Sequence, residues 1–193
     1  MPRTVVVAHK VNRRSLLLKY LRVGVEMVEF GVTLEGGALL VKHGADVGSR
    51  GLRGFVMALG YLLLEGRDPL LKPSTLEEHL RLAGGRAGVW LDLKAEGIEK
   101  EAAALARAYG AKPVVVSSGF HNTLRFAREG CEDAVIMLGN VSYRPADPLK
   151  EVELASADGL SIHHAFVDEE LVEELHSAGY NHPEKVRRFA ERP

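Results

Sequence analysis

Six short runs rich in β-branched and apolar residues divide the chain: TVVVAH (4–9), VEMVEFGV (25–32), GVWLDLK (88–94), PVVVSS (113–118), DAVIML (133–138) and DGLSIHH (158–164). A strand without polar alternation is buried on both faces, which calls for a parallel sheet covered by helices. Helical stretches stand between the runs. Residues 14–23 precede the second strand. STLEEHLRLA (74–83) opens with Ser74 as the expected N-cap and Glu77 three residues on as its capping-box partner. Residues 97–110, 121–130 and 167–179 each close on a glycine, as helix C-termini often do. Repeated strand–helix units predict an α/β fold, either a β/α barrel or a doubly wound sheet. No glycine-rich fingerprint joins a strand to a helix, which disfavours a dinucleotide fold.

Length and composition narrow the class. At 193 residues and 46% hydrophobic content, one domain spanning 1–193 is expected. A formal net charge of −1 advertises no basic surface, so nucleic acid is not an expected partner. Cys131 is the one cysteine, which excludes an internal disulfide and fits a reducing, cytoplasmic setting. Lys10, Arg13 and Arg14 cut the first apolar run short of signal-peptide or membrane-span length. The absence of glutamine leans toward a thermophilic source.

Two segments break the rhythm. Residues 45–73 are glycine-rich and then apolar over FVMALGYLLL (55–64), which predicts a helix packed on the body, a cap on a barrel mouth or a subunit contact. The other is a hairpin over 32–43. Opposite residues of an antiparallel pair keep a constant index sum. A three-residue turn Glu35-Gly36-Gly37 gives a sum of 72 and places Glu29 across from His43. A two-residue turn Gly36-Gly37 gives 73 and places Phe30 there instead. The first geometry is favoured, with glycine at a positive-φ bulge position.

Six segments fall in the order of known motifs: AHK at 8–10, VEFGV at 28–32, LVKHG at 40–44, STLEEHL at 74–80, WLDLK at 90–94 and VVSSGF at 115–120. Together they resemble the successive motifs of the glycerophosphodiester phosphodiesterases, a family of β/α barrels whose segments usually read AHRG, IELDV, VVIHD, PTLEEVL, IEIK and SSF. The resemblance covers residues 4–178. It implies a TIM-type barrel that cleaves glycerophosphodiesters to glycerol 3-phosphate and an alcohol. It also implies a divalent cation, calcium or magnesium, held by carboxylates at the strand ends, with two histidines moving protons. Carried over residue by residue, His9 and His43 match the catalytic histidines. Glu29 matches a metal-binding acid, and Asp92 stands where the family usually has a glutamate ligand. Lys94 matches the phosphate-side lysine, and Lys10 replaces an arginine. The expected partner is a small-molecule phosphodiester.

Departures from the pattern bear on both site and fold. Gly31 occupies the place of a second metal-binding aspartate, and Gly44 that of the aspartate after the second histidine. Fewer carboxylates predict a weakly bound cation. Hence an alternative: a catalytically impaired relative that binds anions or serves as a scaffold. The family's tryptophan-bearing strand and its final strand find no match after residue 178, although a helix is expected at 183–191. Six parallel strands, where about eight close such a barrel, predict an open or distorted one. Its edge would be covered by residues 55–64, the C-terminal helix or a second subunit.

Simpler structural roles exist for each residue. His9 could be a core histidine, and Glu29 an ion-pair partner of Lys94 or Lys10. Asp92 and Lys94 alternate onto one face of a strand and could form a plain salt bridge. His163-His164 suits a surface or capping position, and Ser117-Ser118 ordinary strand-end hydrogen bonding.

Overall fold

The computed structural model describes residues 5–42, 74–139, 146–162 and 166–180. These form a mostly parallel sheet with helices packed around it, a half-barrel in shape. In chain order the elements are β1 (Val7–Ala8), α1 (Arg14–Val23), β2 (Met27–Glu35), β3 (Ala38–Val41), α2 (Leu76–Ala83), β4 (Gly88–Leu93), α3 (Glu99–Ala108), β5 (Val114–Ser118), α4 (Ala127–Gly130), β6 (Val135–Leu138), α5 (Pro148–Leu154), β7 (Gly159–Leu160) and α6 (Glu169–Ser177). Each of the six apolar runs contains one of the six parallel strands, and these pair in the order β1-β2-β4-β5-β6-β7. Among the described residues nothing pairs β7 with β1, so the sheet curves without closing. Residues 55–64 and 183–191, offered above as covers for the edge, lie outside the described residues, as do His43, Gly44 and His163-His164.

The two faces of the sheet differ, and the difference follows from strand alternation. The outer face carries Val28, Phe30, Val32, Val89, Leu91, Leu93, Val116, Ile136 and Leu138, all fully buried against the helices. Full burial of such a side chain contributes roughly 1.5–3 kcal/mol. The alanine stripe Ala102, Ala103 and Ala106 lets α3 lie close to this layer. The inner face carries two registered rows: Glu29, Trp90, Val115 and Val135, then Gly31, Asp92, Ser117, Met137 and Gly159. Trp90, Asp92, Val135 and Met137 are only half-buried. The inner face is therefore the less sealed side, and it carries Glu29, Asp92 and Ser117 among the apolar Trp90, Val115, Val135 and Met137.

The hairpin register corrects the favoured expectation. Observed pairs Val32–Val41, Thr33–Leu40, Leu34–Leu39 and Glu35–Ala38 all sum to 73. The turn is Gly36-Gly37 alone, with φ of 57° and 79°, the double positive-φ geometry of a type I′ turn. Glycine at both central positions makes this the cheaper loop, because the three-residue alternative would need Glu35 to leave the ladder. Lys42 N–H donates to Gly31 O at 2.7 Å and continues this register, which does not put Glu29 in line with position 43. A Lys42–Glu35 ion pair of 2.7 Å runs along the hairpin.

Two helix termini differ as well. The N-cap of α2 is Thr75, not Ser74: its hydroxyl accepts from Glu78 N–H while the Glu78 carboxylate accepts from Thr75 N–H. Both residues fit the Ser/Thr-x-x-Glu pattern, and burial of Leu76, His79, Leu80 and Ala83 on one face selects the phase. Gly130 closes the 121–130 segment for a different reason than positive φ. A Cβ there would collide with the Lys100 carbonyl oxygen and lie 2.8 Å from Ala104 N, so this glycine permits close approach of α4 to α3.

His79 is the discordant core residue. It is fully buried, and its ring meets Phe30 edge-on with centroids 5.1 Å apart. Among the described residues neither ring nitrogen has a hydrogen-bond partner. Burial pushes its pKa down to about 4. The unfolded chain takes up this proton near pH 6.5, whereas the folded chain resists it until about pH 4. Stability therefore falls as pH drops through that window, by up to roughly 3 kcal/mol from this one group. Urea titrations at pH 7 and pH 4.5 should show the loss, and His79→Leu should shrink it; an equal loss in the variant would assign the acid sensitivity elsewhere.

Candidate functional site

The site is built at the C-terminal end of β1 and β2 and continues onto β4. Glu29 sits on the inner face of β2 and is only 6% exposed. A buried carboxylate is costly unless its oxygens are satisfied. Here Oε2 accepts from the backbone N–H of Lys10 at 3.1 Å and contacts His9 Nε2 at 2.9 Å. Lys10 adopts φ 57°, a left-handed conformation uncommon for a residue with a side chain. That backbone turn aims its N–H back at Glu29. Neither lysine partner foreseen for Glu29 takes that place. The side-chain contact goes to a histidine, and Lys10 contributes through its main chain.

Two further bonds lace the loop after β1 to β2. Val11 N–H donates to Glu29 O at 2.9 Å, and Asn12 Oδ1 accepts from Gly31 N–H at 2.9 Å. Asn12 was not foreseen. Its one signal was rarity, since asparagine occurs only four times in the chain. The function it serves here is to cap a strand N–H that β1 is too short to reach.

Asp92 lies on the inner face of β4, and Lys94, the residue just past the strand, comes to the same side. Lys94 Nζ lies 2.5 Å from Asp92 Oδ2, with the side chains 18% and 14% exposed. The salt-bridge reading of this pair describes the geometry. Behind them, Trp90 Nε1 donates to Ser117 Oγ at 2.8 Å, and Ser117 Oγ approaches Asp92 Oδ1 at 3.5 Å, a weak contact. Ser118 alternates to the outer face and is structural: it donates to Leu93 O and accepts from Phe120 N–H, both at 3.0 Å. The two serines thus divide, one facing the site and one holding the sheet.

His9 is the exposed member, with its side chain 66% accessible. Its pKa lies below the usual 6.5. Partial burial is the largest cause, the Lys10 charge adds to it, Asp92 opposes, and Lys94 lowers it further. The shift favours the neutral ring, the form able to accept a proton. Of the six residues expected at the site, the structure gathers His9 with Glu29 and Asp92 with Lys94, and brings Lys10 to Glu29 by its backbone. His43 lies outside the described residues.

A cation site can be judged by its donors. Glu29 and Asp92 lie on adjacent strands and the same face, one side-chain row apart, since Glu29 registers with Trp90 and Gly31 with Asp92. Adjacent-strand and along-strand spacings put their Cα atoms roughly 8 Å apart, a separation two carboxylates can bridge. Glycine at 31 supplies no side-chain donor between them. Among the described residues no group of three or more His, Cys, Asp or Glu side chains is placed to hold a metal. A hard divalent ion there would have few protein oxygens, so water and ligand oxygens would have to complete its shell.

No protein-family model and no curated protein sequence matches the chain. Solved structures do. A phosphodiesterase from Oleispira antarctica, in complex with the product sn-glycerol-3-phosphate, is 25% identical, with a TM-score of 0.68 over 92% of this chain and 82% of its own. A protein from Silicibacter pomeroyi assigned as a glycerophosphoryl diester phosphodiesterase has a TM-score of 0.68 at 19% identity, covering 98% of this chain and 88% of its own. A glycerophosphodiester phosphodiesterase from Parabacteroides distasonis has a TM-score of 0.57 at 20% identity, covering 96% and 79%.

Two substitutions test the geometry. Lys10→Met removes the largest charge that depresses His9, so the His9 titration followed by NMR should move to higher pH; no movement would place the ammonium away from the ring. Asn12→Ala leaves the Gly31 N–H without its acceptor and should cost about 1–2 kcal/mol in denaturant unfolding, against no change if that bond is dispensable.

Proposed function

We propose that this chain, a divergent relative of the glycerophosphodiester phosphodiesterases, is a phosphoric diester hydrolase that releases glycerol 3-phosphate and an alcohol from a small glycerophosphodiester. One observation carries the reading: an exposed histidine is anchored on a buried glutamate, on the same side of the half-barrel as a lysine–aspartate pair. Support comes also from the Oleispira antarctica structure, where the neighbour holds sn-glycerol-3-phosphate.

Cleaving a phosphodiester requires a proton removed from the attacking oxygen, a proton given to the leaving alkoxide, and relief of negative charge on the phosphoryl oxygens. His9 is suited to accept the first proton, because Glu29 fixes its ring and its pKa lies below the usual value. His43 would take the complementary acid role at the leaving oxygen. Lys94 and Lys10 would meet the phosphate as point charges, without the planar fork of an arginine. Glu29 and Asp92 would hold a divalent cation, calcium or magnesium, which when bound supplies Lewis-acid stabilisation of the developing charge.

A second reading is favoured by Gly31, which leaves the site without a third carboxylate. In it the mouth binds phosphate-bearing ligands without turning them over. Incubation with glycerophosphocholine and an aryl phosphodiester, in the presence of calcium, magnesium or manganese, separates the two. The hydrolase reading expects cation-dependent release of product and a loss of roughly 100- to 10,000-fold in His9→Ala. Turnover no greater than that of His9→Ala, together with retained binding of glycerol 3-phosphate, leaves the binding reading standing.

A further inference from the structure

The Asp92–Lys94 pair bears on how a cation enters this site. The contact is 2.5 Å, both side chains are largely shielded, and strand alternation fixes the two residues on the same face of β4. An ammonium and a divalent ion cannot share one carboxylate oxygen, since cation oxygens sit at about 2.3–2.6 Å and the two positive charges would repel at close range. Among the described residues the other donors are few. Glu29 Oε2 is already bonded to Lys10 N–H and in contact with His9, which leaves Oε1, and Gly31 brings no side-chain donor. The other Asp92 oxygen faces Ser117 and remains within the field of the same ammonium.

We propose that Lys94 competes with the divalent cation for Asp92, and that a phosphate-bearing ligand admits the cation by drawing the ammonium away. This rests on the phosphodiesterase reading above. Lysine suits the exchange: its charge is compact and its four-carbon stem flexible, so the ammonium can pass from carboxylate to phosphate without moving the strand. The consequence is coupling in both directions. Ligand strengthens the cation, and by thermodynamic reciprocity the cation strengthens the ligand by the same factor. A site with two carboxylates would then be nearly empty of metal until substrate arrives.

Calorimetric titration with calcium, with and without glycerol 3-phosphate, tests this on the full chain. For the wild type, saturating glycerol 3-phosphate should tighten calcium by about tenfold. Lys94→Met should bind calcium about tenfold more tightly without ligand, and the ligand-dependent gain should largely vanish. Lys94→Arg keeps the charge and should stay as weak as the wild type; Lys94→Gln replaces the methionine variant if that one does not fold. Asp92→Asn should abolish binding in every background. If Lys94→Met and Lys94→Gln bind calcium no better than the wild type while Asp92→Asn still loses it, the competition is refuted and the cation site stands. If neither the wild type nor any Lys94 variant binds calcium with ligand present, the cation reading itself fails, and the competition with it.

Discussion

The buried carboxylate of Glu29 is the interaction on which the site depends. It would be a liability in a sheet interior if left alone, and two groups from the loop after β1 satisfy it: the Lys10 N–H and the His9 ring. The same loop is tied to β2 at Val11 N–H and through Asn12 Oδ1. β1 itself has only two residues in the ladder. Position along this edge is therefore set less by strand pairing than by four polar contacts converging on residues 29 and 31. Removal of the Glu29 carboxylate would at once take away one anchor of the histidine and loosen the edge strand, so structure and chemistry cannot be separated there.

The half-barrel uses its faces unequally. Apolar burial on the outer face holds the sheet, with Phe30, Leu91, Val116, Ile136 and Leu138 sealed beneath helices. The inner face bears the costs: a buried acid, an ion pair and a tryptophan whose ring N–H needs a serine. This division explains why ionisable groups tolerated at the site do not destabilise the core. Glu99 at the start of α3 and His79 are buried ionisable groups on the helix side, and the depressed pKa of His79 makes that side acid-sensitive.

Much of the fold was legible because parallel strands announce themselves by unbroken apolar runs, and α1 because its amphipathic pattern fills residues 14–23. Other features were misread or missed where two local solutions were nearly equivalent. Gly36-Gly37 fits a two-residue turn as well as a bulged one, and the ladder beyond the turn, not the turn itself, decides between them. Ser74 and Thr75 each begin a capping box, and packing of Leu76 and Leu80 decided in favour of Thr75. The helix α5 was passed over although Asp147-Pro148 is a plain starting signal, with Asp147 accepting from Lys150 N–H and Pro148 in the first turn. Asn12 carried no pattern at all, since its use arises only once Gly31 lies beside it.

By itself the sequence determined which segments become strands, that they run parallel, and that Asp92 and Lys94 share a face, because apolar continuity and the two-residue period are local properties of the chain. Tertiary structure alone decided the partnerships: His9 with Glu29, Lys10 through its backbone, Asp92 on Lys94, and a hairpin one register away from the expected one. Those depend on the relative positions of distant strands to within an ångström or so, and no local pattern encodes a separation that only packing of the whole sheet sets.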